Sequence, residues 1–269
     1  MSPVFIFNKM TVISGIRSKA FWLILFITVL LFSAAFLSGS FSSRQPLVVS
    51  LDVGYTAARI GLLFLALVWT QELLQKDLDK KTVHWAVAYP CSRASYLLGK
   101  LLGISALLLM STIIFSLPLW WIANYASWGY EASSLPYIGL SYPISMFGLW
   151  LESMIILAFT ACMITISTTP FLAIAIGLLF SLAGRGLGAV LDFLLFSPYA
   201  DASFKAKFLP IANTLRWFLP DLSALDWRQA TLYGHWQGLY PGAAICMALG
   251  YILIFTALSM IIFNKRALN

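Results

Sequence analysis

Charge is scarce in this sequence. Asp, Glu, Lys and Arg make up 10% of its 269 residues, where a soluble domain carries about 25%. Hydrophobic residues reach 61%. That balance excludes a water-soluble globular domain and predicts an integral membrane protein, with lipid as the solvent for much of its surface. Histidine is scarcer still. His84 and His235 are the only two, and they are expected on opposite sides of the membrane, so they share no metal or catalytic site. The three cysteines, Cys91, Cys162 and Cys246, form no CxxC pair. This suggests neither a disulfide framework nor a thiolate metal site, and they read as small apolar core residues. No HExxH or GxSxG motif occurs. Gly99-Lys100 ends like a phosphate-binding loop, but Ala94 replaces its first glycine and Leu101 its Mg²⁺-binding Ser or Thr. Gly184-Arg185-Gly186-Leu187-Gly188 has the wrong spacing for a dinucleotide loop and follows no strand; its glycines read as room for a bend or close helix packing. The chain is therefore expected to be no enzyme and to hold no cofactor or metal of its own.

What is present is a series of long apolar runs. Six membrane spans are predicted, over residues 20–37, 55–74, 95–122, 143–167, 170–187 and 241–263. The first, at 18 residues, gives about 27 Å of helix, enough to cross. It is too long for the core of a signal peptide, and no clean cleavage site follows, so no cleaved leader is expected. Residues 1–19 read as a helix lying in the interface. Val12, Phe5, Ile16, Ile13, Ile6 and Met10 share one arc, with Ser14, Thr11, Gly15, Asn8 and Lys19 opposite. Residues 38–54 read as a polar loop, and 124–142 as a loop rich in aromatics. Trp120 and Trp121 mark an interface at the end of the third span. Pro170 opens the fifth span after a tight turn, where a missing N–H costs nothing. Residues 188–240, broken by Pro198, Pro210 and Pro220, are expected to form short helices at the outer surface. The whole, residues 1–269, is one all-α transmembrane domain.

The net charge of +7 follows from topology and implies no nucleic-acid partner. With the N-terminus inside, ten of the 17 Lys and Arg lie on the cytoplasmic side. Five of the seven outside flank or occupy one long loop, where the positive-inside rule counts for less. Both termini are thus expected in the cytoplasm of a cell (inner) membrane protein. Arg59, Glu152 and Arg185 fall within spans, in the outer part of the bilayer. A charge at mid-bilayer costs about 2.5–3.5 kcal/mol on insertion scales, so Glu152 is expected to pair with Arg59 or Arg185. Two readings stay open: a structural pair, or a polar lining at the outer mouth of a pathway. One deep carboxylate, with no paired broken helices, argues against an ion-coupled secondary transporter.

The densest charge lies in residues 71–100, on the cytoplasmic side. Glu72 closes the second span, and Lys76, Asp77, Asp79, Lys80 and Lys81 alternate in sign. Residues 82–89 then form a short half-apolar segment with Thr82, Val83, Trp85 and Val87. Pro90 stops it, and Ser92 and Arg93 restart a helix. A short helix held between two spans and aimed at the cytosol suits docking of a soluble partner.

The ordered residues Glu72, Lys81-Thr82 and Pro90-Cys91-Ser92-Arg93-Ala94-Ser95-Tyr96-Leu97-Leu98-Gly99-Lys100 resemble the second cytoplasmic segment of ABC-2 type permeases. There an acidic residue closes the second span, a coupling helix follows, and a P-x-S-R-x-x-Y-x-x-G-K pattern opens the third. The Leu219-Pro220-Asp221-Leu222-Ser223 stretch and the basic Asn264-Lys265-Arg266 ending also look like that family. The resemblance implies a permease subunit of an ATP-driven exporter. It implies a separate cytosolic ABC ATPase carrying the ATP and Mg²⁺, and a second permease copy, identical or related. The coupling segment would be residues 75–94, with Glu72, Lys81, Thr82, Val83, Trp85, Val87, Pro90, Arg93 and Lys100 in the coupling role. Glu72 and Arg93 would tie the coupling helix to the bases of the second and third spans. The other reading is a membrane anchor that assembles another complex and transports nothing. No feature names a substrate.

Overall fold

The structure, a computed structural model, describes residues 3–42, 45–79, 92–125, 139–167, 169–196, 207–208, 210, 214, 219–236 and 240–265. Every regular element among the described residues is helical. In order they are α1 (Pro3–Ile16), α2 (Lys19–Phe41), α3 (Pro46–Thr70), α4 (Arg93–Tyr125), α5 (Ser141–Ile166), α6 (Pro170–Phe196), α7 (Arg228–Tyr233) and α8 (Pro241–Lys265). α3 runs on through a π-helical turn, Gln71–Gln75, into the four-residue tail Lys76–Asp79, and a 3₁₀ turn, Leu222–Leu225, precedes α7. α2, α3, α4, α5, α6 and α8 are each long and apolar enough to cross a membrane. Among the described residues the chain is all-α with six helices able to span a membrane, as predicted.

The polar stretch over residues 38–54 is not the loop that was predicted. Only residues 42–45 separate α2 from α3. Pro46 sits in the first turn of α3, where its missing N–H is tolerated. Ser38 and Ser40 stay inside α2 because their hydroxyls donate back to the carbonyls of Ala35 and Leu37, both at 2.6 Å. Nor do the apolar residues after Gly188 form a separate short element. α6 continues through them, and its 27 residues make a rod of about 40 Å.

α3 and α5 are the mostly buried spans; α2 and α8 keep most of their apolar length at the surface. α3 packs on α2, α4 and α5, while α5 also meets α4, α6 and α8. Trp69, Leu65, Leu97, Ile104 and Ile156 fill this centre. α1 packs along α4 with its polar side inward. Thr11 and Gly15 are buried, whereas Phe5, Ile6, Met10, Ile13 and Ile16 are exposed. The Thr11 hydroxyl donates to the Phe7 carbonyl at 2.7 Å, so its burial leaves no unpaired donor. Small residues inward and apolar ones outward are the order expected where lipid replaces water.

Candidate functional site

Two clusters of charge sit at opposite ends of the bundle. The first lies at the end remote from α1. Arg59 comes from α3, Glu152 from α5 and Arg185 from α6. The Arg185 Nε donates to Glu152 Oε1 at 2.8 Å, and Arg59 Nε lies 3.4 Å from Glu152 Oε2. So the sequence-predicted pairing is met twice over: both arginines reach Glu152. Three further groups complete the cluster. Arg59 Nη2 stands 2.5 Å from Asp226 Oδ2, and Arg185 Nη2 stands 3.4 Å from the same oxygen. Arg228 donates from Nε to Asp226 Oδ1 at 2.9 Å. From Nη1 it reaches Asp52 Oδ1 at 2.7 Å and Thr56 Oγ1 at 3.0 Å.

The cluster holds three arginines and three carboxylates, so its net charge is zero. Its exposure grades outward: the Glu152 side chain is 3% exposed and that of Asp52 is 50% exposed. A neutral, multiply bonded cluster is the arrangement that makes ions this deep tolerable. Asp226 lies outside the spanning helices. Burial alone would raise its pKa, but Arg228, Arg59 and Arg185 outweigh that and lower it to about 2.

Glycines hold the segment carrying Asp226 and Arg228 in place. A Cβ on Gly148 of α5 would stand 2.3 Å from the Leu225 carbonyl oxygen. One on Gly188 of α6 would meet Ser223 Oγ at 2.0 Å and Asp221 Oδ1 at 2.6 Å. The 3₁₀ turn therefore lies directly on helix backbone. Asp221 Oδ1 accepts from the Ser223 N–H at 3.0 Å, which closes the start of that turn. Ser145 of α5 hydrogen-bonds the Trp227 carbonyl at 2.8 Å and Thr231 Oγ1 at 2.9 Å, and Trp227 is buried. Of the three glycines expected to give room for a bend or close helix packing, Gly184 and Gly188 pack closely, against residues 220–223, whereas a Cβ on Gly186 would meet nothing within 4 Å. Asp52, Asp226 and Arg228 were missed from sequence. The Asp226-x-Arg228 spacing after the Leu219–Ser223 stretch was the available signal.

The second cluster joins the end of α3 to the start of α4. The π-helical turn at residues 71–75 inserts one extra residue per turn and so swings the tail relative to α3. On that tail Asp77 meets α4 twice. Lys100 Nζ is 2.6 Å from Asp77 Oδ2, and the Tyr96 hydroxyl donates to the same oxygen at 2.9 Å. Glu72 pairs with Lys76, one turn along the same helix, at 2.9 Å. Arg93 Nη1 donates to the Asn264 carbonyl at the end of α8, at 3.3 Å. Among the described residues, Asp77 bridges the two spans at this end, Glu72 pairs within its own helix and Arg93 reaches α8. Gly99, from the same motif, allows α1 to close in: a Cβ there would stand 2.7 Å from Phe7 Cβ. Lys81, Thr82, Val83, Trp85, Val87 and Pro90 lie outside the described residues. Among the described residues no group of His, Cys, Asp and Glu could hold a metal ion.

A family model described as "ABC-2 family transporter protein" matches residues 11–268. Individual curated proteins gave no match.

Proposed function

Because the chain belongs to the ABC-2 transporter family, we propose that it is the permease subunit of an exporter driven by a separate cytosolic ATPase. Family and spans together make it a multi-pass membrane permease of an ABC-type system. The finer reading rests on one observation. Asp77 binds both Tyr96 and Lys100, which joins the tail of α3 to the start of α4 at the base of the bundle. Two spans tied to each other by packed, bonded side chains move together when one of them is pushed. The excess of Lys and Arg supports a cytoplasmic position for this end, with both termini. The ATPase docks on residues 82–89, through Val83, Trp85 and Val87. Closure of two ATPase subunits drives two permease copies, identical or related, between inward and outward states. ATP and Mg²⁺ belong to the ATPase. The cluster around Glu152 is the outer latch of the same cycle, since it ties α3, α5 and α6 where an outward opening must part them.

The test is co-purification. Full-length protein drawn from membranes is expected to bring an ATPase with a Walker A motif and ATP-hydrolysing activity. V83D/V87D is expected to insert normally and lose that partner. Retention of the ATPase by the double variant would show that docking lies elsewhere. Absence of any ATPase from the wild type would favour the anchor reading over transport.

A further inference from the structure

Tyr96 is a junction of four helices. It is 3% exposed. Its hydroxyl bonds Asp77 on the tail of α3. Its ring meets Phe7 of α1 edge to face, with centroids 5.1 Å apart and planes at 77°. Phe263 of α8, itself fully buried, stacks on the ring at 6.3 Å and 23°. Lys100, the other partner of Asp77, lies 5.7 Å from the ring centroid. There is little slack on the α1 side, where a Cβ on Gly99 would also come within 2.8 Å of the Val4 carbonyl oxygen. Close-packed contacts of this kind pass displacement on instead of absorbing it.

In sequence, Asp77 precedes residues 80–91 and Tyr96 follows them, whereas α1 and α8 are remote from that segment. We propose that Tyr96, held by Asp77, is the positioning residue that carries movement of the docking segment into α1 and α8. On this inference α1 moves with the segment and is more than a tether to the lipid surface. The inference rests on the docking reading above. The chemistry separates two roles in one side chain. The ring packs the junction, and phenylalanine would fill the same space. The hydroxyl is what bonds the side chain directly to Asp77.

The experiment uses the full-length protein with its co-purified ATPase in lipid nanodiscs. Spin labels are placed at the exposed positions Met10 of α1 and Leu258 of α8, after Cys91, Cys162 and Cys246 are replaced by serine. The distance between labels is read with and without a non-hydrolysable ATP analogue. The expected result is a nucleotide-dependent shift in the otherwise wild-type protein that is lost in Y96F and in D77A, with the ATPase still bound. D77A leaves the Tyr96 ring untouched and decides the matter if Y96F fails to assemble. A shift of wild-type size in either assembled variant overturns the inference. So does an unmoved distance in the wild type when the ATPase is bound and V83D/V87D releases it; docking then stands without this route. If no ATPase accompanies the wild type, the docking reading fails and the inference falls with it.

Discussion

Removing the charge of Glu152 tests the outer cluster most directly. Glu152→Gln keeps the shape and leaves three arginines against two carboxylates. Arg59 keeps its 2.5 Å contact with Asp226 but loses its anionic partner on α5. Arg185 keeps a neutral acceptor where it had a carboxylate oxygen at 2.8 Å. Breaking a buried pair by removing one partner costs about 3–5 kcal/mol. The amide oxygen can still accept one bond, so the expected loss is about 3 kcal/mol, at the low end. The cost comes from an uncompensated charge more than from a lost contact, and that distinction is measurable. E152Q/R185Q restores neutrality, so the double variant should be more stable than the sum of the two single losses, with a coupling of about 1–3 kcal/mol. Reversible unfolding in mixed micelles reads all four corners of the cycle. Added salt should leave the coupling nearly unchanged, because Glu152 is shielded from solvent. A loss below about 0.5 kcal/mol, or strict additivity, would refute the claim that charge balance holds this end together.

Two further outcomes follow from the same end of the molecule. Gly148→Leu places a side chain whose Cβ would stand 2.3 Å from the Leu225 carbonyl oxygen; overpacking should cost about 1–3 kcal/mol, and hydrogen exchange should rise across residues 222–233 while α3 keeps its protection. Asp226 is held at about 2 against an ordinary value of 3.8. A carboxylate depressed in this way adds stability above its unfolded pKa, and that stability is lost as pH falls from 3.8 through 2. At about 1.4 kcal/mol per pH unit the contribution is roughly 2 kcal/mol. Unfolding compared at mildly and strongly acidic pH should show that loss in wild type, and D226N should lack this part of it; an identical pH slope in D226N would remove Asp226 from the stabilising cluster.

The spans were legible because lipid leaves few alternatives: about 20 apolar residues in a row must be a helix. Arg59, Glu152 and Arg185 were legible for the same reason, since a charge in such a run must find a partner. Helix ends were less so. Ser38, Ser40 and Asp52 looked like loop residues, but the serines bond their own helix and Asp52 serves Arg228. Asp226 and Arg228 stood out little, because a charge in a polar segment is ordinary; only the fold lays that segment over α5 and α6. Asp77 was masked in another way. It stands in a block of alternating charge that reads as hydrated, and the π-helical turn that aims it at α4 leaves no periodic mark in the sequence.

Both ends of the bundle solve one problem with the same two devices. A glycine removes the side chain that would hold two backbones apart: Gly99 against α1, and Gly148 and Gly188 against the 3₁₀ turn. A carboxylate beside it binds two or more cations or donors: Asp77 on the α3 tail to Lys100 and Tyr96 of α4, and Asp226 to Arg59 of α3, Arg185 of α6 and its near neighbour Arg228. The glycine contact is short-ranged and resists any approach or tilt. The charge contact is directional and can be exchanged for another partner or for water. A joint built from both favours discrete arrangements over continuous play, as the proposed cycle would require. Each end grades from sealed to exposed: from Tyr96 to Lys76 at the α3 tail, and from Glu152 to Asp52 at the other, so each joint has a solvent-facing edge on a packed interior.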